Sequence, residues 1–278
     1  MIIKSKAKIN IGLHVLNKRQ DGYHNIKTIF KEINFFDLIE IKESQKFTCD
    51  INISEINQKD NFCTKAFELV KQRFPSIPNV SIKIEKRIPV KSGLGGGSSN
   101  GTAVLKGLSN IFELPIKNEE MIDLAMKISS DSPFFVEGGI QIGEKRGEVL
   151  TKIKNFESED YILLVFPHQK IQTKKAFNQI KNHLLNENMD INFSKLLSEL
   201  TNKNFSSKLF KNDFEMYVFK THPEIGKIKY NLMDLGAIYA SLSGTGSTVF
   251  GIFFSKKDLL KAQSFFSPQY STYYVNPI

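Results

Sequence analysis

A dense group of glycines lies in the first half of the chain and limits what that region can fold into. Five of the 17 glycines fall within nine positions, in the run Pro-Val-Lys-Ser-Gly-Leu-Gly-Gly-Gly-Ser-Ser-Asn-Gly at residues 89–101. Glycine loses more backbone entropy on folding than any other residue, so such a group needs a physical reason. Close approach of backbone N–H groups to an anion is one such reason, and Ser98, Ser99 and Thr102 add hydroxyl donors.

The residues on either side of this glycine loop are typical of a strand and a helix. Apolar and polar residues alternate over residues 80–88, which predicts a half-buried strand that ends at Pro89. Val104, Leu108 and Ile111 follow at helical spacing, which predicts an amphipathic helix directly after the loop. Because a helix N-terminus favours negative charge, this arrangement predicts phosphate binding. A flexible hinge or tight turn is the alternative interpretation.

Two common phosphate loops do not fit this sequence. A Walker loop requires a lysine directly after its last glycine, and no lysine here follows a glycine with that spacing. The dinucleotide fingerprint G-x-G-x-x-G fails as well, because the register that starts at Gly93 meets Ser98 at its last position. The loop therefore belongs to another class.

Composition sets the outer limits of the interpretation. The net charge of +9 suits nucleic acid, an acidic membrane surface or small polyanions, but the lysines are scattered and form no basic block. No apolar run is long enough to cross a membrane, and the N-terminus lacks the apolar core of a signal peptide. Cys49 and Cys63 match no metal motif and indicate a reduced compartment, so we expect a cytoplasmic protein.

Strands and helices alternate irregularly along the chain, which predicts an α+β fold. The start is rich in strands, with a long first strand over residues 2–16 and a polar turn over residues 17–24. The polar, unpatterned segment at residues 151–160 is the candidate boundary between domains. We therefore expect an N-terminal domain of residues 1–155 and a C-terminal domain of residues 156–278.

Four smaller clusters hold residues that could carry chemistry, and each has a simpler interpretation. Lys8 and Asn10 share one face of the first strand, where they could line a pocket or face solvent at an edge. Asp131 follows a predicted helix and precedes Pro133, so it could simply be a turn residue, and His24 could be a packing residue. The second glycine turn, residues 244–247, lies between two predicted strands and could be an ordinary hairpin.

Taken in order, these segments resemble the three motifs of the galactokinase, homoserine kinase, mevalonate kinase and phosphomevalonate kinase superfamily. The segments are Ala-Lys-Ile-Asn at residues 7–10, the loop at residues 89–99, and Ser-Gly-Thr-Gly at residues 243–246. Leu-His-Val-Leu at residues 13–16, Asp-Gly-Tyr-His at residues 21–24 and the triple glycine are similar to one branch of this superfamily. That branch phosphorylates a cytidine diphosphate alcohol in the non-mevalonate route to isoprenoid precursors.

The resemblance implies a two-domain fold, with an N-terminal ATP-binding domain similar to a ribosomal protein domain and a ferredoxin-like C-terminal domain. It implies transfer of phosphate from ATP to the substrate's 2-hydroxyl, in a cleft between the domains. The residues that it assigns to ATP are Pro89, Val90, Lys91, Ser92, Gly93, Leu94, Gly95, Gly96, Gly97, Ser98 and Ser99.

The resemblance also assigns the catalytic and substrate-binding residues. Asp131 matches the general base, and Lys8 matches the lysine that keeps it ionised and offsets developing charge. The positions that match the substrate side are Asn10, Tyr23, His24, Phe177, Gly244 and Thr245. Among these, Phe177 is expected to sandwich cytosine against Tyr23. The family usually has small apolar residues around the aspartate. This chain has Ser130 and Ser132 there, and their hydroxyls could form hydrogen bonds to Asp131.

Mg²⁺ is expected with ATP, but the sequence indicates no clear protein ligand for it, and Ser99 is only one candidate. The partners expected are the two small substrates, without nucleic acid or membrane, for a monomer or homodimer. Two rivals stay open at this point. One is a superfamily kinase acting on homoserine or mevalonate, which lack a base to stack on Tyr23. The other is a nucleic-acid-binding protein, suggested by the net charge.

Overall fold

The computed structural model describes residues 1–53, 61–153, 160–180, 198, 199, 202 and 210–276. The chain forms two compact units, and neither is continuous in sequence. The first unit comprises Met1–Lys8, Phe35–Val90 and Gly95–Gly139, and the second comprises Ile9–Asn34, Lys91–Leu94 and Ile140–Ile278. The boundary expected after residue 155 lies outside the described residues and stays a prediction.

The elements are numbered in chain order among the described residues. The strands are β1 (Ile2–Lys18), β2 (His24–Ser44), β3 (Thr48–Ile51), β4 (Asn79–Glu85), β5 (Ile140–Lys145), β6 (Val149–Lys152), β7 (Tyr161–Phe166), β8 (Tyr239–Leu242), β9 (Val249–Phe253) and β10 (Ser271–Val275). The helices are α1 (Phe62–Arg73), α2 (Gly96–Ile111), α3 (Asn118–Ile128), α4 (Phe134–Glu137), α5 (Thr173–Ile180), α6 (Phe214–Thr221), α7 (Pro223–Asp234) and α8 (Lys256–Phe266).

In the first unit, three helices pack against a sheet that contains one parallel pair. β3 lies parallel to β4, and β4 pairs antiparallel with Leu38–Ser44 of β2. The apolar side chains of β4 join those of α1, α2 and α3 in a single core. Helix α1 begins where the Asn61 side chain accepts a hydrogen bond from the Cys63 N–H at 2.9 Å. Cys49 and Cys63 are buried in this core as free thiols.

In the second unit, the main element is an antiparallel sheet of four strands in the order β10-β7-β9-β8. Residues 162–165 of β7 are buried without interruption, as expected for a central strand covered on both faces. Ile26–Lys31 of β2 pairs antiparallel with β5, and β5 pairs with β6. Side chains from β1, β7, β9 and helices α5 to α8 form the core of this unit.

The structure corrects several predicted boundaries. The strand expected to reach Pro89 ends at Glu85, because the Asp37 carboxylate accepts hydrogen bonds from the N–H groups of Arg87 and Ile88. A helix expected from residue 207 starts at Phe214, since residues 211–213 pair with β1 instead. Helix α4 and strand β6 were not predicted. The end of the helix predicted over residues 173–185 lies outside the described residues.

No helix in the described part of the chain combines the length and apolar character that crossing a membrane requires.

Candidate active site

In the first unit, the glycine loop leads directly into helix α2. The helix starts at Gly96, and Gly95 before it has a φ of 69°, which glycine adopts without strain. A Cβ at position 95 would lie 3.2 Å from the Lys8 side chain and 3.0 Å from the Phe135 ring. Glycine at this position therefore lets Lys8 lie against the start of the helix, where unpaired N–H groups favour negative charge.

Lys8 and Asp131 form an ion pair in the first unit. The Lys8 Nζ lies 3.4 Å from Oδ2 of Asp131. The Lys8 side chain is 4% exposed, whereas that of Asp131 is 31% exposed. The alternative that Lys8 faces solvent at a sheet edge is therefore wrong. Asp131 occupies the turn between α3 and α4, where part of its carboxylate remains open to an incoming group.

Serine hydroxyls connect the Asp131 turn to the first turn of α2. Ser129 Oγ donates to Ser98 Oγ at 2.8 Å, and the Ser129 and Ser132 hydroxyls lie 2.7 Å apart. Thr102 Oγ1 donates to the Ser132 carbonyl at 2.9 Å. The hydroxyl of Ser132, expected to bond to Asp131, instead contacts Ser129 and the Ser98 carbonyl. These bonds fix the turn and leave the carboxylate open.

In the second unit, Lys91–Leu94 of the glycine loop lies against the second glycine turn. A Cβ at Gly93 would lie 1.9 Å from the carbonyl oxygen of Ser243, so no other residue fits there. Ser243 Oγ donates to the Gly93 carbonyl at 3.0 Å, and the Thr248 N–H donates to the Ser92 carbonyl at 3.2 Å. The second turn does join a hairpin, β8 with β9, and it also supports this part of the loop.

Asn10, Gly244 and Thr245 lie in the second unit as well. Asn10 is 2% exposed, and its Nδ2 donates to Thr28 Oγ1 at 3.0 Å, so the solvent-facing alternative is wrong for it too. A Cβ at Gly244 would lie 3.6 Å from Asn10 Oδ1. Thr245 Oγ1 lies 3.2 Å from Thr173 Oγ1, at the start of α5. Strand β1, the second glycine turn and α5 therefore meet here.

The second unit also holds one aromatic pair and one cation–π contact that involve predicted substrate residues. The rings of His24 and Phe177 are stacked, with centroids 5.2 Å apart and an interplanar angle of 22°. Tyr23 is 53% exposed, and the guanidinium of Arg146 lies 4.8 Å from its ring centroid. In this structure Phe177 stacks on His24, and the Arg146 guanidinium lies over Tyr23. The sandwich of cytosine between Tyr23 and Phe177 stays a prediction.

The sequence is similar to kinases of one family over most of its length. Residues 61–139 match the family described as GHMP kinases N terminal domain, and residues 183–271 match GHMP kinases C terminal. A 4-diphosphocytidyl-2-C-methyl-D-erythritol kinase of Clostridium botulinum (strain Langeland / NCTC 10281 / Type F) is 38% identical over 270 residues, 95% of this chain and 93% of the relative. The chain belongs to the 4-diphosphocytidyl-2-C-methyl-D-erythritol kinase family of GHMP kinases.

Two further comparisons agree. The kinase of the same name from Pelodictyon phaeoclathratiforme (strain DSM 5477 / BU-1) is 36% identical over 274 residues, covering 97% of this chain and 94% of the relative. A crystal structure of 4-(cytidine 5'-diphospho)-2C-methyl-D-erythritol kinase superposes with a TM-score of 0.85 at 23% identity, covering 99% of this chain and 98% of that one. The α+β kinase fold, the superfamily and the branch predicted from the sequence are confirmed.

The described residues include no clear set of side-chain ligands for the Mg²⁺ that is expected with ATP. Within the described ranges, no three His, Cys, Asp or Glu side chains come together in a way that could hold a metal ion. The Ser99 hydroxyl, the one ligand considered from the sequence, is buried and lies 2.7 Å from the Ser5 hydroxyl. The residues present therefore do not form a protein cage for the ion.

Sequence reasoning missed several residues of this region. Asn212 contacts the second glycine turn, Arg146 stacks on Tyr23, and Asp37 holds the segment before the glycine loop. Asn212 and Asp213 stand directly before α6, a pattern typical of helix starts that could have been noticed. The partners of Arg146 and Asp37 are distant in sequence, and no local pattern indicates them.

Proposed function

We propose that this protein phosphorylates the 2-hydroxyl of 4-diphosphocytidyl-2-C-methyl-D-erythritol with ATP, yielding the 2-phosphate and ADP. Membership of the family supports the reaction. The Lys8–Asp131 pair carries the proposal, because it combines a buried cation with a carboxylate that is still reachable.

Asp131 acts as the general base in this proposal. The hydroxyl oxygen forms a bond to the γ-phosphorus while the bond from that phosphorus to the bridging oxygen of ADP breaks. The hydroxyl proton passes to the Asp131 carboxylate and from there to water. The Lys8 ammonium, 3.4 Å from this carboxylate, holds it in place and offsets negative charge as it develops on the transferred group. Phosphoryl transfer depends mostly on positioning and charge neutralisation, which this pair can supply.

The glycine loop is the proposed phosphate site. Gly95, Gly96 and Gly97 open helix α2, whose first N–H groups lack intrahelical partners. An ATP phosphate placed there meets backbone donors and the positive end of the helix. The residues before them, Pro89 to Leu94, complete the loop, and Ser98 and Ser99 complete the first turn of α2.

The cytidine diphosphate moiety is assigned to residues of the second unit. A flat base stacks favourably on an aromatic ring, and Tyr23 offers an exposed one whose orientation Arg146 supports. His24 and Phe177 offer a second stacked surface, while Asn10, Gly244 and Thr245 offer polar groups. Lys8 and Asn10 are separated by one residue in β1, so one short segment serves both the base and the substrate.

Mg²⁺ is proposed to enter with ATP and to take its ligands from phosphate oxygens and water. It usually keeps several waters in such sites and needs few protein ligands. We assign no protein ligand to it and no step of proton transfer. We also propose that the protein works in the cytoplasm on these two small substrates, as a monomer or homodimer.

The decisive experiment is a coupled assay of ADP release across a panel of acceptors. The cytidine diphosphate alcohol should support turnover, whereas mevalonate and homoserine, which have no base, should not. Turnover with mevalonate or homoserine alone would move the protein to another branch of the superfamily. Absence of ATP turnover combined with RNA or DNA binding that falls steeply with salt would favour the nucleic-acid alternative.

Tyr23→Ala tests the substrate side within the same assay. Loss of a stacking platform should raise KM for the cytidine diphosphate alcohol by about 10-fold and leave KM for ATP nearly unchanged. Tyr230→Ala is a matched control, because that tyrosine of α7 is also exposed, at 65%. An equal rise of both KM values in Tyr23→Ala would contradict the stacking role.

A further inference from the structure

Asn212 is a buried asparagine whose amide connects three parts of the second unit. Its Nδ2 donates to the carbonyl of Leu242 and to that of Gly244, both at 2.8 Å. Its Oδ1 accepts from the Phe214 N–H at 2.9 Å, at the start of α6. The residue is 0% exposed, so these bonds form without competition from water. Both hydrogens of the amide are directed at the second glycine turn or the strand leading into it.

The segment that carries Asn212 is itself fixed to β1. The Leu13 N–H donates to the Lys211 carbonyl at 3.0 Å, and the Asp213 N–H donates to the Leu13 carbonyl at 2.9 Å. The Val15 N–H donates to Asp213 Oδ2 at 2.8 Å. Asn212 therefore stands on a rigid base next to the strand that carries Asn10, and it holds the second glycine turn from that base.

The bond to the Gly244 carbonyl also determines where the next N–H points. In a trans peptide the C=O of one residue and the N–H of the next point in opposite directions. Since the Gly244 carbonyl is directed at Asn212, the Thr245 N–H is directed away from it. Among the described residues this N–H forms no hydrogen bond, so it is a donor available to a ligand oxygen.

We propose that Asn212 is a positioning residue for the kinase reaction, which sets the orientation of the Gly244–Thr245 peptide so that the Thr245 N–H meets an oxygen of a bound substrate. The inference rests on the proposed function and adds to it a residue that touches no substrate itself. Binding geometry of this kind matters because a small misplacement of a substrate can cost a large factor in rate.

Asn212→Asp is the direct test, since aspartate has the same shape but no N–H donors. At neutral pH its carboxylate would face two carbonyl oxygens and turn the peptide away. We expect kcat/KM for the cytidine diphosphate alcohol to fall by about 100-fold. Lowering the pH should recover part of the loss relative to the unsubstituted enzyme, because a protonated carboxyl regains one donor. A purely structural defect would lower the amount of folded enzyme without this recovery.

Asn79→Asp is the matched control, because Asn79 makes a single amide bond to the Gln45 carbonyl in the first unit. Its kinetics should equal those of the unsubstituted enzyme. If Asn212→Asp does not fold, Asn212→Ser keeps one donor and should show an intermediate loss. Hydrogen exchange of the peptide over residues 240–248 reports the turn without any turnover, and it should be faster in either variant.

A folded Asn212→Asp enzyme with unchanged kcat, KM and exchange would overturn the inference. That outcome differs from failure of the proposed function, in which the unsubstituted enzyme itself would not use the cytidine diphosphate alcohol. In that case the exchange measurement still decides whether Asn212 sets the turn.

Discussion

Two lysine–aspartate pairs in the first unit use the same residue types for different purposes. Lys86 and Asp37 lie 2.6 Å apart with exposed fractions of 5% and 0%, and Asp37 also accepts hydrogen bonds from two backbone N–H groups. Lys8 and Asp131 lie 3.4 Å apart, and the Asp131 carboxylate is partly open. The Asp37 carboxylate accepts three hydrogen bonds and is fully buried, whereas the Asp131 carboxylate is partly exposed and can accept another group. The two pairs differ less in charge than in whether the carboxylate can accept a further hydrogen bond. A base such as the one proposed for Asp131 needs that ability, whereas Asp37 only holds the fold.

The largest expected effect is on catalysis by the open pair. Asp131→Asn should lower kcat by about 10²- to 10⁴-fold, because the amide cannot accept the hydroxyl proton. The midpoint of thermal unfolding should fall less than in an Asp37→Asn variant, since the Asp131 side chain is 31% exposed. Steady-state kinetics and calorimetry on the same preparation measure both quantities. Near-normal turnover would remove Asp131 from the chemistry.

The closed pair should show the reverse pattern. Asp37→Asn leaves the Lys86 ammonium buried without its counter-charge and should cost about 3–5 kcal/mol in the free energy of unfolding. Folded Asp37→Asn should lose much less of its kcat than Asp131→Asn does. The double variant Asp37→Leu with Lys86→Met should recover part of the stability in urea unfolding. A stability loss no larger than that of Asp131→Asn would erase the distinction between the pairs.

Lys31 extends the comparison to a third lysine, whose effect on the free energy of unfolding should depend on pH. Burial lowers the pKa of Lys31 from 10.5 to about 8, although the charge of Asp160 raises it in part. The folded state therefore holds the charged lysine at a cost below pH 8, and that cost disappears as pH rises towards 10.5. Lys31→Met should increase the free energy of unfolding by about 1–3 kcal/mol at pH 7.

The measurement for this variant is urea unfolding at several pH values. The advantage of Lys31→Met should shrink between pH 8 and 10.5, where the unsubstituted lysine becomes neutral in the folded state. An advantage that stays constant over this range would mean that packing, and not charge, is responsible.

The smallest effect concerns the serines beside Asp131. Ser132→Ala removes the contact with Ser129 and should cost about 0.5–1.5 kcal/mol of stability. Its kcat should stay close to that of the unsubstituted enzyme, because the hydroxyl contacts Ser98 and Ser129 and leaves the Asp131 carboxylate open. A large change in kcat with unchanged stability would indicate that this hydroxyl acts on the carboxylate.

Local patterns predicted much of the fold and the main motifs of the site. Alternation gave β1, and glycines beside an amphipathic pattern gave the start of α2. Alternation could not reveal that Lys8 and Asn10 are both buried, because both faces of β1 are covered at that point. The contacts of Asp37 with the segment before the glycine loop, and of Asn212 with the second glycine turn, were missed because those partners lie about 50 and 30 residues away in the chain.

The discontinuity of the two units has a consequence for synthesis on the ribosome. Ile9–Asn34 leaves the exit tunnel early, but apart from Lys91–Leu94 the rest of its unit begins only at Ile140. At ordinary translation rates the nascent strands wait on the order of ten seconds for their partners. During that interval Ile26–Lys31 has no β5 to pair with and presents an open strand edge. Until β5 emerges, this edge is therefore open to pairing with other chains.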